Sequence, residues 1–154
     1  GLLADVPHSR PIAISATAAS PALANALEVD PSNYEGVTGI LGVIGDEARR
    51  REIDAVSFWA AVPHYVSTTP SPKASLALLE ALEEYLETPL PHGDLGERAA
   101  AWEATVDRMA AEDSEVGDYV KELERSKDDD EFREATADSI AKEVERFLRR
   151  HENG

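Results

Sequence analysis

Ala-Val-Ser-Phe-Trp-Ala-Ala-Val, residues 55–62, is the stretch of sequence that decides the fold class. It is apolar at nearly every position, which is typical of a β-strand that is covered on both faces. A second apolar run, Ile-Ala-Ile-Ser-Ala at residues 12–16, follows Pro11 and also predicts a buried strand. With a helix between them, the two runs predict a strand–helix–strand unit with parallel pairing and a right-handed crossover.

Residues 37–53 allow two interpretations. The stretch from Val37 to Ile44 fits a glycine-containing strand, but we favour a helix from about Thr38 to Arg51. In that helix one face carries the apolar residues Ile40, Leu41, Ile44 and Ala48. Gly42 and Gly45 weaken such a helix by about 1 kcal/mol each relative to Ala, so we interpret them as positions of close packing on a sheet.

Two further helices are predicted from the residues at their starts. Ser20 and Pro21 fit the N-cap and first turn of a short helix, because serine caps the free amide groups and proline lacks one. Ser71 and Pro72 fit the same two positions of a longer helix, which ends near Glu87.

After Gly93 the pattern becomes that of a long helical region. Steps of four and three alternate along the heptad positions Leu95, Ala99, Trp102, Val106, Met109, Asp113, Val116, Val120 and Leu123. This is an a/d heptad pattern with one acidic interruption, at Asp113. The region is either one helix of roughly 40 Å or two helices with a break and a new cap at Asp113.

The heptad region also allows two functional interpretations. Its apolar residues either pack on their own domain or form a protruding arm that contacts another subunit. In the second case the candidate interaction surface consists of Trp102, Val106, Met109, Val116, Val120 and Leu123. Trp102 would then be an anchor of the aromatic type that interfaces favour.

The charge of the chain excludes several classes of partner. Its 154 residues include 15 Lys and Arg against 31 Asp and Glu, a formal net charge of −16. That charge repels nucleic-acid backbones and anionic membrane surfaces, so we expect neither as a partner. The absence of cysteine excludes disulfides and thiolate metal sites. The sequence lacks a signal-peptide pattern and any apolar run near the roughly 20 residues of a membrane span, so we expect a cytoplasmic location.

A candidate polar site comprises His8, Glu35, His64 and Tyr65. His64 follows the C-terminal end of the predicted strand at residues 55–62, where open α/β sheets bind ligands. A catalytic histidine needs an orienting carboxylate and a nucleophile; Glu35 and the hydroxyls at 67–69 are candidates by residue type only. The alternative is that His64 and Tyr65 merely form local hydrogen bonds. The sequence contains no G-x-S-x-G, Walker or H-E-x-x-H motif, and we expect no metal, no cofactor and no catalysis.

Five segments carry a family resemblance: Ser-Phe-Trp-Ala-Ala-Val-Pro-His-Tyr at 57–65, and residues 6–11, 34–39, 71–74 and 102–123. In order and spacing they resemble the PAC2 family of proteasome-assembly-chaperone-2-like proteins, in its actinobacterial type. The resemblance implies a three-layer α/β/α sandwich similar to nucleoside phosphorylases, with an extended C-terminal helical region. It also implies homo-oligomers and a match to the C-terminal portion of larger family members.

The expected organisation has four parts. Residues 1–92 form the C-terminal part of an α/β/α domain, 93–127 an acidic heptad arm, 128–135 an acidic linker, and 136–154 a last amphipathic helix. Two strands cannot make a stable sheet alone, so we expect a longer protein or an associated chain to complete it.

The expected function is that of a protein-interaction or proteasome-assembly-chaperone-type module with protein partners. The alternative is a nucleoside- or phosphate-binding enzyme that uses a pocket near His64.

Overall fold

The structure is a computed structural model that describes residues 2–18, 20–26, 30–31, 39–66 and 70–131. Its strands are β1 (Leu2–Ala4), β2 (Ile14–Ala18), β3 (Asp30–Pro31) and β4 (Val56–Pro63). Its helices are α1 (Pro21–Ala26), α2 (Ile40–Arg50), α3 (Pro72–Leu86), α4 (Leu95–Glu112) and a helix over residues 114–131, called α5. A 3-10 helix, His64–Val66, follows β4. The predicted mixed α/β class with an extended helical region is confirmed.

The four strands form one mixed sheet in the order β1-β4-β2-β3. β1 pairs parallel with β4, with Leu2 opposite Ala61, and β2 pairs parallel with β3. β2 and β4 pair antiparallel, with Ile14 opposite Ala60. Because β1 and β4 run in the same direction, the segments that follow them leave the sheet at the same edge.

The predicted parallel pairing of the runs at 12–16 and 55–62 is therefore wrong. The prediction assumed one helical crossover between them, but the chain makes two excursions. It passes through α1 to β3, which lies parallel to β2, and then through α2 to β4, which takes the other edge of β2 in the opposite direction. β3 has two residues, one of them proline, so the sequence contains no strand pattern that indicates it.

Helix α3 packs on the sheet, and α4 packs on α3. Where α3 contacts β4, the Phe58 ring lies 5.6 Å from that of Tyr85. Ala60 in the middle of β4 is completely buried, whereas Phe58 and Trp59 are only half-buried. Since neighbouring residues of a strand point to opposite faces, β4 is not fully covered on either face, contrary to the prediction.

The favoured helical interpretation of residues 38–51 is confirmed by α2. Its apolar side chains are uncovered, however: Ile40, Leu41, Val43 and Ile44 are 54–71% exposed. The predicted packing of glycine on a sheet is wrong at Gly45, where an added Cβ would meet no atom within 4 Å. Within the described residues, α2 therefore presents an unpartnered apolar surface.

Both predicted serine caps are present. The Ser20 hydroxyl accepts a hydrogen bond from the Leu23 amide at 3.2 Å, and the Ser71 hydroxyl accepts one from the Ala74 amide at 3.2 Å. α3 ends at Glu87, which adopts a left-handed conformation with φ of 50°.

The heptad region is two helices, as the second predicted alternative states. Asp113 is the single residue between α4 and α5, in an extended conformation. Its Oδ1 accepts hydrogen bonds from the amides of Glu115 at 3.0 Å and Val116 at 3.3 Å, so it caps α5.

The acidic linker predicted over 128–135 needs correction at its start, because residues 128–131 continue α5. Two of these acidic side chains, Asp128 and Glu131, pair with Arg10, as described below. The rest of the predicted linker and the predicted helix at 136–154 lie outside the described residues, so the predicted domain limits stay predictions.

We expect Ser71→Ala to lower the free energy of unfolding by about 1 kcal/mol, because it removes the cap of α3. Ser75→Ala is the matched control, since its hydroxyl is exposed and donates only to the Ser71 carbonyl. Urea unfolding followed by circular dichroism measures both. Equal stability of the two variants would contradict the assigned role of Ser71.

Candidate functional site beside the end of strand β4

The parallel pairing of β1 and β4 brings together the two segments that form the candidate site. Leu2–Ala4 lies alongside Ala61–Pro63, so residues 5–10 leave β1 next to the 3-10 helix that follows β4. This is the carboxyl edge of two parallel strands, the position at which open sheets commonly bind ligands.

His8 is the buried centre of the site, with 2% of its surface exposed. Its backbone N–H donates to the Tyr65 hydroxyl at 2.8 Å, and its Nδ1 lies 2.9 Å from the same hydroxyl. Its Nε2 lies 2.9 Å from Oδ1 of Asp107 on α4. Both ring nitrogens therefore have partners, as a buried imidazole requires.

The protonation of Tyr65 determines where the protons lie in the contacts that run from Tyr65 through His8 to Asp107. Burial is the main cause that raises the pKa of Tyr65 to about 12, so its hydroxyl stays protonated at neutral pH. The hydroxyl accepts from the His8 backbone and donates to Nδ1. In neutral His8 the ring proton then lies on Nε2 and is donated to Asp107.

Lys73 at the start of α3 joins the same cluster. Its Nζ donates to the His8 carbonyl at 2.6 Å and pairs with Oε2 of Glu103 on α4 at 2.5 Å. The cluster therefore connects the segment after β1, the 3-10 helix, α3 and α4.

Of the four predicted site residues, the structure brings His8 and Tyr65 into contact. His64 points elsewhere: it is half-exposed, and its Nδ1 lies 3.1 Å from Oδ1 of Asp5. Its ring packs against Tyr65 and Tyr119, with centroid distances of 5.9 and 5.3 Å. Glu35 and the hydroxyls at 67–69 lie outside the described residues.

Asp107 and Lys73 belong to the site but are not among the predicted site residues. Both lie in segments that carry the family resemblance, which does not assign them a role. Asp107 is 99 residues from His8, and no spacing rule relates two groups so far apart.

The contacts of this cluster disfavour catalysis by its members. His8 lies between a carboxylate and a hydroxyl, as a catalytic histidine would, but it is only 2% exposed, so a substrate has little access to its ring. The raised pKa of Tyr65 opposes formation of a nucleophilic phenolate. The side-chain ionic partner of His8, and that of His64, is a carboxylate, which repels a phosphate group. In the described part of the chain, no three metal-ligating side chains are grouped closely enough to hold a metal ion.

Arg10 forms a second cluster, the Arg10 clasp, with three acidic residues of α5. Its Nε lies 2.8 Å from Oε2 of Glu124, its guanidinium also pairs with Asp128, and its third nitrogen is 3.5 Å from Glu131. Ser9 donates to the other oxygen of Glu124. The clasp thus fastens the segment after β1 to α5.

The clasp sets the ionisation of Glu124. Burial alone would raise the pKa of this carboxyl, but the hydrogen bonds from Ser9 and Arg10 and the charge of Arg10 outweigh it. The pKa of Glu124 therefore lies below its usual value of 4.5.

The predicted interaction surface needs correction at two residues. Trp102 and Val106 are buried with Val66, and Tyr65 packs against them, so neither side chain is available to a partner. Their position on α4 faces α3 and the 3-10 helix, which the heptad spacing alone does not distinguish from a subunit contact. Met109 is exposed, while Val116, Val120 and Leu123 are half-buried.

Comparison with known proteins gives a consistent relationship. The profile of the PAC2 family matches residues 1–110. The chain belongs to the PAC2 family. The crystal structure of a PAC2 family protein from Streptomyces avermitilis is similar, with 46% identity and a TM-score of 0.67, over 77% of this chain and 50% of that one. A proteasome-assembly chaperone homologue from Mycobacterium tuberculosis has 47% identity and a TM-score of 0.63, over 77% and 50% of the two chains.

A Mycobacterium tuberculosis protein of unknown function is also similar, with 31% identity and a TM-score of 0.69, over 82% of this PAC2 chain and 44% of that one. The chain thus spans about half the length of these solved relatives. No curated protein sequence matches it significantly. None of the helices in the described residues is both long and apolar enough to cross a bilayer.

We expect Tyr65→Phe to lower the free energy of unfolding by about 1–3 kcal/mol, because it leaves the His8 amide and Nδ1 without the hydroxyl. Tyr85→Phe is the matched control, since Tyr85 is exposed at the far end of α3. Chemical unfolding measures both variants. A Tyr65→Phe protein as stable as the control would show that the hydroxyl is not required.

We expect Glu124 to contribute stability at neutral pH that is lost in acid. A group whose folded pKa is lowered stabilises the folded state above its unfolded pKa, near 4.5, and stops doing so as pH falls through the folded value. Wild type should therefore melt higher than Glu124→Gln at neutral pH, and the gap should narrow below pH 4.5. Thermal melts from neutral pH to about pH 3 test this; a constant gap would refute it.

Proposed function

We propose that this PAC2 chain acts as a protein-interaction module of the proteasome-assembly-chaperone type, without catalysis of its own. The observation that carries the proposal is the uncovered apolar side of α2. Four large aliphatic residues, Ile40, Leu41, Val43 and Ile44, lie within five positions and are all more than half exposed. Burial of such a side chain contributes roughly 1.5–3 kcal/mol, so this surface gains considerably from a partner.

The α2 surface also has a charged border. Arg49 pairs with Asp46 at 2.7 Å, and Arg51 pairs with Glu47 at 2.7 Å. An apolar centre with a polar rim is the usual composition of a protein–protein contact. The net charge of −16 argues against a nucleic-acid partner, because it repels phosphate backbones.

The partner we propose is a proteasome subunit. The support is the relative from Mycobacterium tuberculosis, a proteasome-assembly chaperone homologue, at 47% identity. We further propose that the protein acts in the cytoplasm and as a homo-oligomer, in keeping with an assembly role. The alternative of a nucleoside- or phosphate-binding enzyme has less support, because carboxylates are the ionic partners of His8 and His64.

We expect the chain, carrying an affinity tag, to retain proteasome subunits of the source cell when they are co-expressed with it. The double variant Ile40→Ser and Ile44→Ser should reduce the amount retained about tenfold or more, because two apolar side chains no longer contribute to binding. The yield of each subunit, quantified by mass spectrometry, is the measurement.

Glu97→Ser, an exposed change on α4, is the matched control and should retain the wild-type amount. If wild type retains no proteasome subunit, the proposed partner is wrong. If the double variant retains as much as wild type, the α2 surface is not the contact.

A further inference from the structure

The bend between α4 and α5 consists of a single residue. Glu112 ends one helix, residue 114 begins the next, and only Asp113 between them is non-helical, with φ of −108° and ψ of 110°. Rotation about that one residue is enough to convert two helices into one. Such a short break is suited to a change between a bent and a straight form.

The heptad pattern continues through the bend without a change of step. Before Asp113 the positions are Val106 and Met109, and after it they are Val116 and Val120, so the steps of three and four persist. Two helices joined at an arbitrary angle need no common register. A shared register means that residues 95–123 would carry one continuous a/d register in a straight helix, with Asp113 as its one acidic position.

Gly117 shows what the bend requires. A Cβ at this position would lie 2.5 Å from the backbone oxygen of Ala110, so only glycine fits the bent form. Ala110 and Gly117 are seven positions apart in the sequence. In a straight helix that spacing separates them by about 10 Å along the axis. The clash would then disappear, and alanine would be the better helix former.

The contacts that hold α5 in the bent position are polar contacts with residues 5–10 and ring contacts with the 3-10 helix. The Arg10 clasp and Ser9 hold Glu124, and Asp5 accepts a hydrogen bond from Tyr119 at 3.2 Å. The Tyr119 ring also packs against His64 and Tyr65. Another copy of the chain carries the same groups, so all of these contacts can form between two chains as well as within one.

We propose that α5 is an exchangeable arm: two copies of this chain straighten at Asp113, and each places its α5 on residues 5–10 of the other. The exchanged dimer keeps the Arg10 clasp and loses only the cap at Asp113 and the close approach at Gly117. Residues before 113, including buried Trp102 and Val106, stay in their own chain. This proposal does not depend on the proposed proteasome contact.

The test compares Gly117→Ala with Gly96→Ala in the 154-residue chain. Gly96 lies in α4, and an added Cβ there meets no atom within 4 Å, so it is a matched glycine replacement without the clash. Gly117→Ala should lower the dimer dissociation constant about tenfold or more relative to Gly96→Ala, which corresponds to about 1.4 kcal/mol. Size-exclusion chromatography with light scattering, over about a hundredfold range of concentration, measures the constant.

A cross-link distinguishes exchange from any other dimer. The chain has no cysteine, so Ser9→Cys and Glu124→Cys introduce the only thiols. Both changes are combined with Gly117→Ala in one chain, and the isolated dimer is treated with a short bifunctional maleimide, because cysteine is shorter than the glutamate that it replaces. Exchange predicts a cross-link between chains and a covalent dimer on a denaturing gel. A cross-link within each chain of that dimer would overturn the proposal.

A second variant keeps the test decisive if Gly117→Ala fails to fold. Asp113→Ala removes the cap that the bent form uses and improves the straight helix, so it should favour the dimer in the same way. If every folded variant among these stays as monomeric as Gly96→Ala, the arm is not exchanged.

Discussion

The rest of the structure depends on the burial of His8. A buried imidazole nitrogen without a hydrogen-bond partner costs free energy, so both ring nitrogens and the neighbouring backbone groups need partners. Those partners come from three elements: Tyr65 in the 3-10 helix after β4, Asp107 on α4, and Lys73 on α3, which also pairs with Glu103 on α4. A single residue after β1 therefore contacts the 3-10 helix, α3 and α4.

Two kinds of attachment follow from this arrangement. α4 is attached by apolar packing, since Val66, Trp102 and Val106 form the buried cluster around which Tyr65 closes. α5 is attached by the ring contacts of Tyr119 and by ion pairs with Arg10, whose acidic partners are mostly solvent-exposed. Exposed ion pairs are individually weak, and salt screens them. Salt does not screen apolar packing in this way. The two helices therefore differ in how firmly the protein holds them, although one heptad pattern runs through both.

Local features of this fold could be predicted from the sequence, and long-range ones could not. The cap at Ser71, the helix at Ile40–Arg50 and the possible break at Asp113 all follow from residues within a few positions of each other. The antiparallel pairing of β2 and β4 depends on β3, whose two residues have no strand pattern.

The candidate site shows the same limit. His8 and Tyr65 could be placed in one candidate site with His64, which follows a predicted strand. Asp107 could not, because only the packing of α4 on α3 brings it there. Heptad spacing likewise places Trp102 on an apolar stripe without saying what the stripe faces. In the structure it faces Val66 of its own chain.

The distribution of polar and apolar groups favours recognition over catalysis. His8 contacts a carboxylate and a hydroxyl, as a catalytic histidine would, but it is almost completely buried, and burial also keeps the Tyr65 hydroxyl protonated. The buried polar groups of the site thus serve to join segments of the chain. Large aliphatic side chains are instead left exposed in the described residues, and four of them, Ile40, Leu41, Val43 and Ile44, lie together on α2. A surface of that kind gains free energy when another protein excludes water from it.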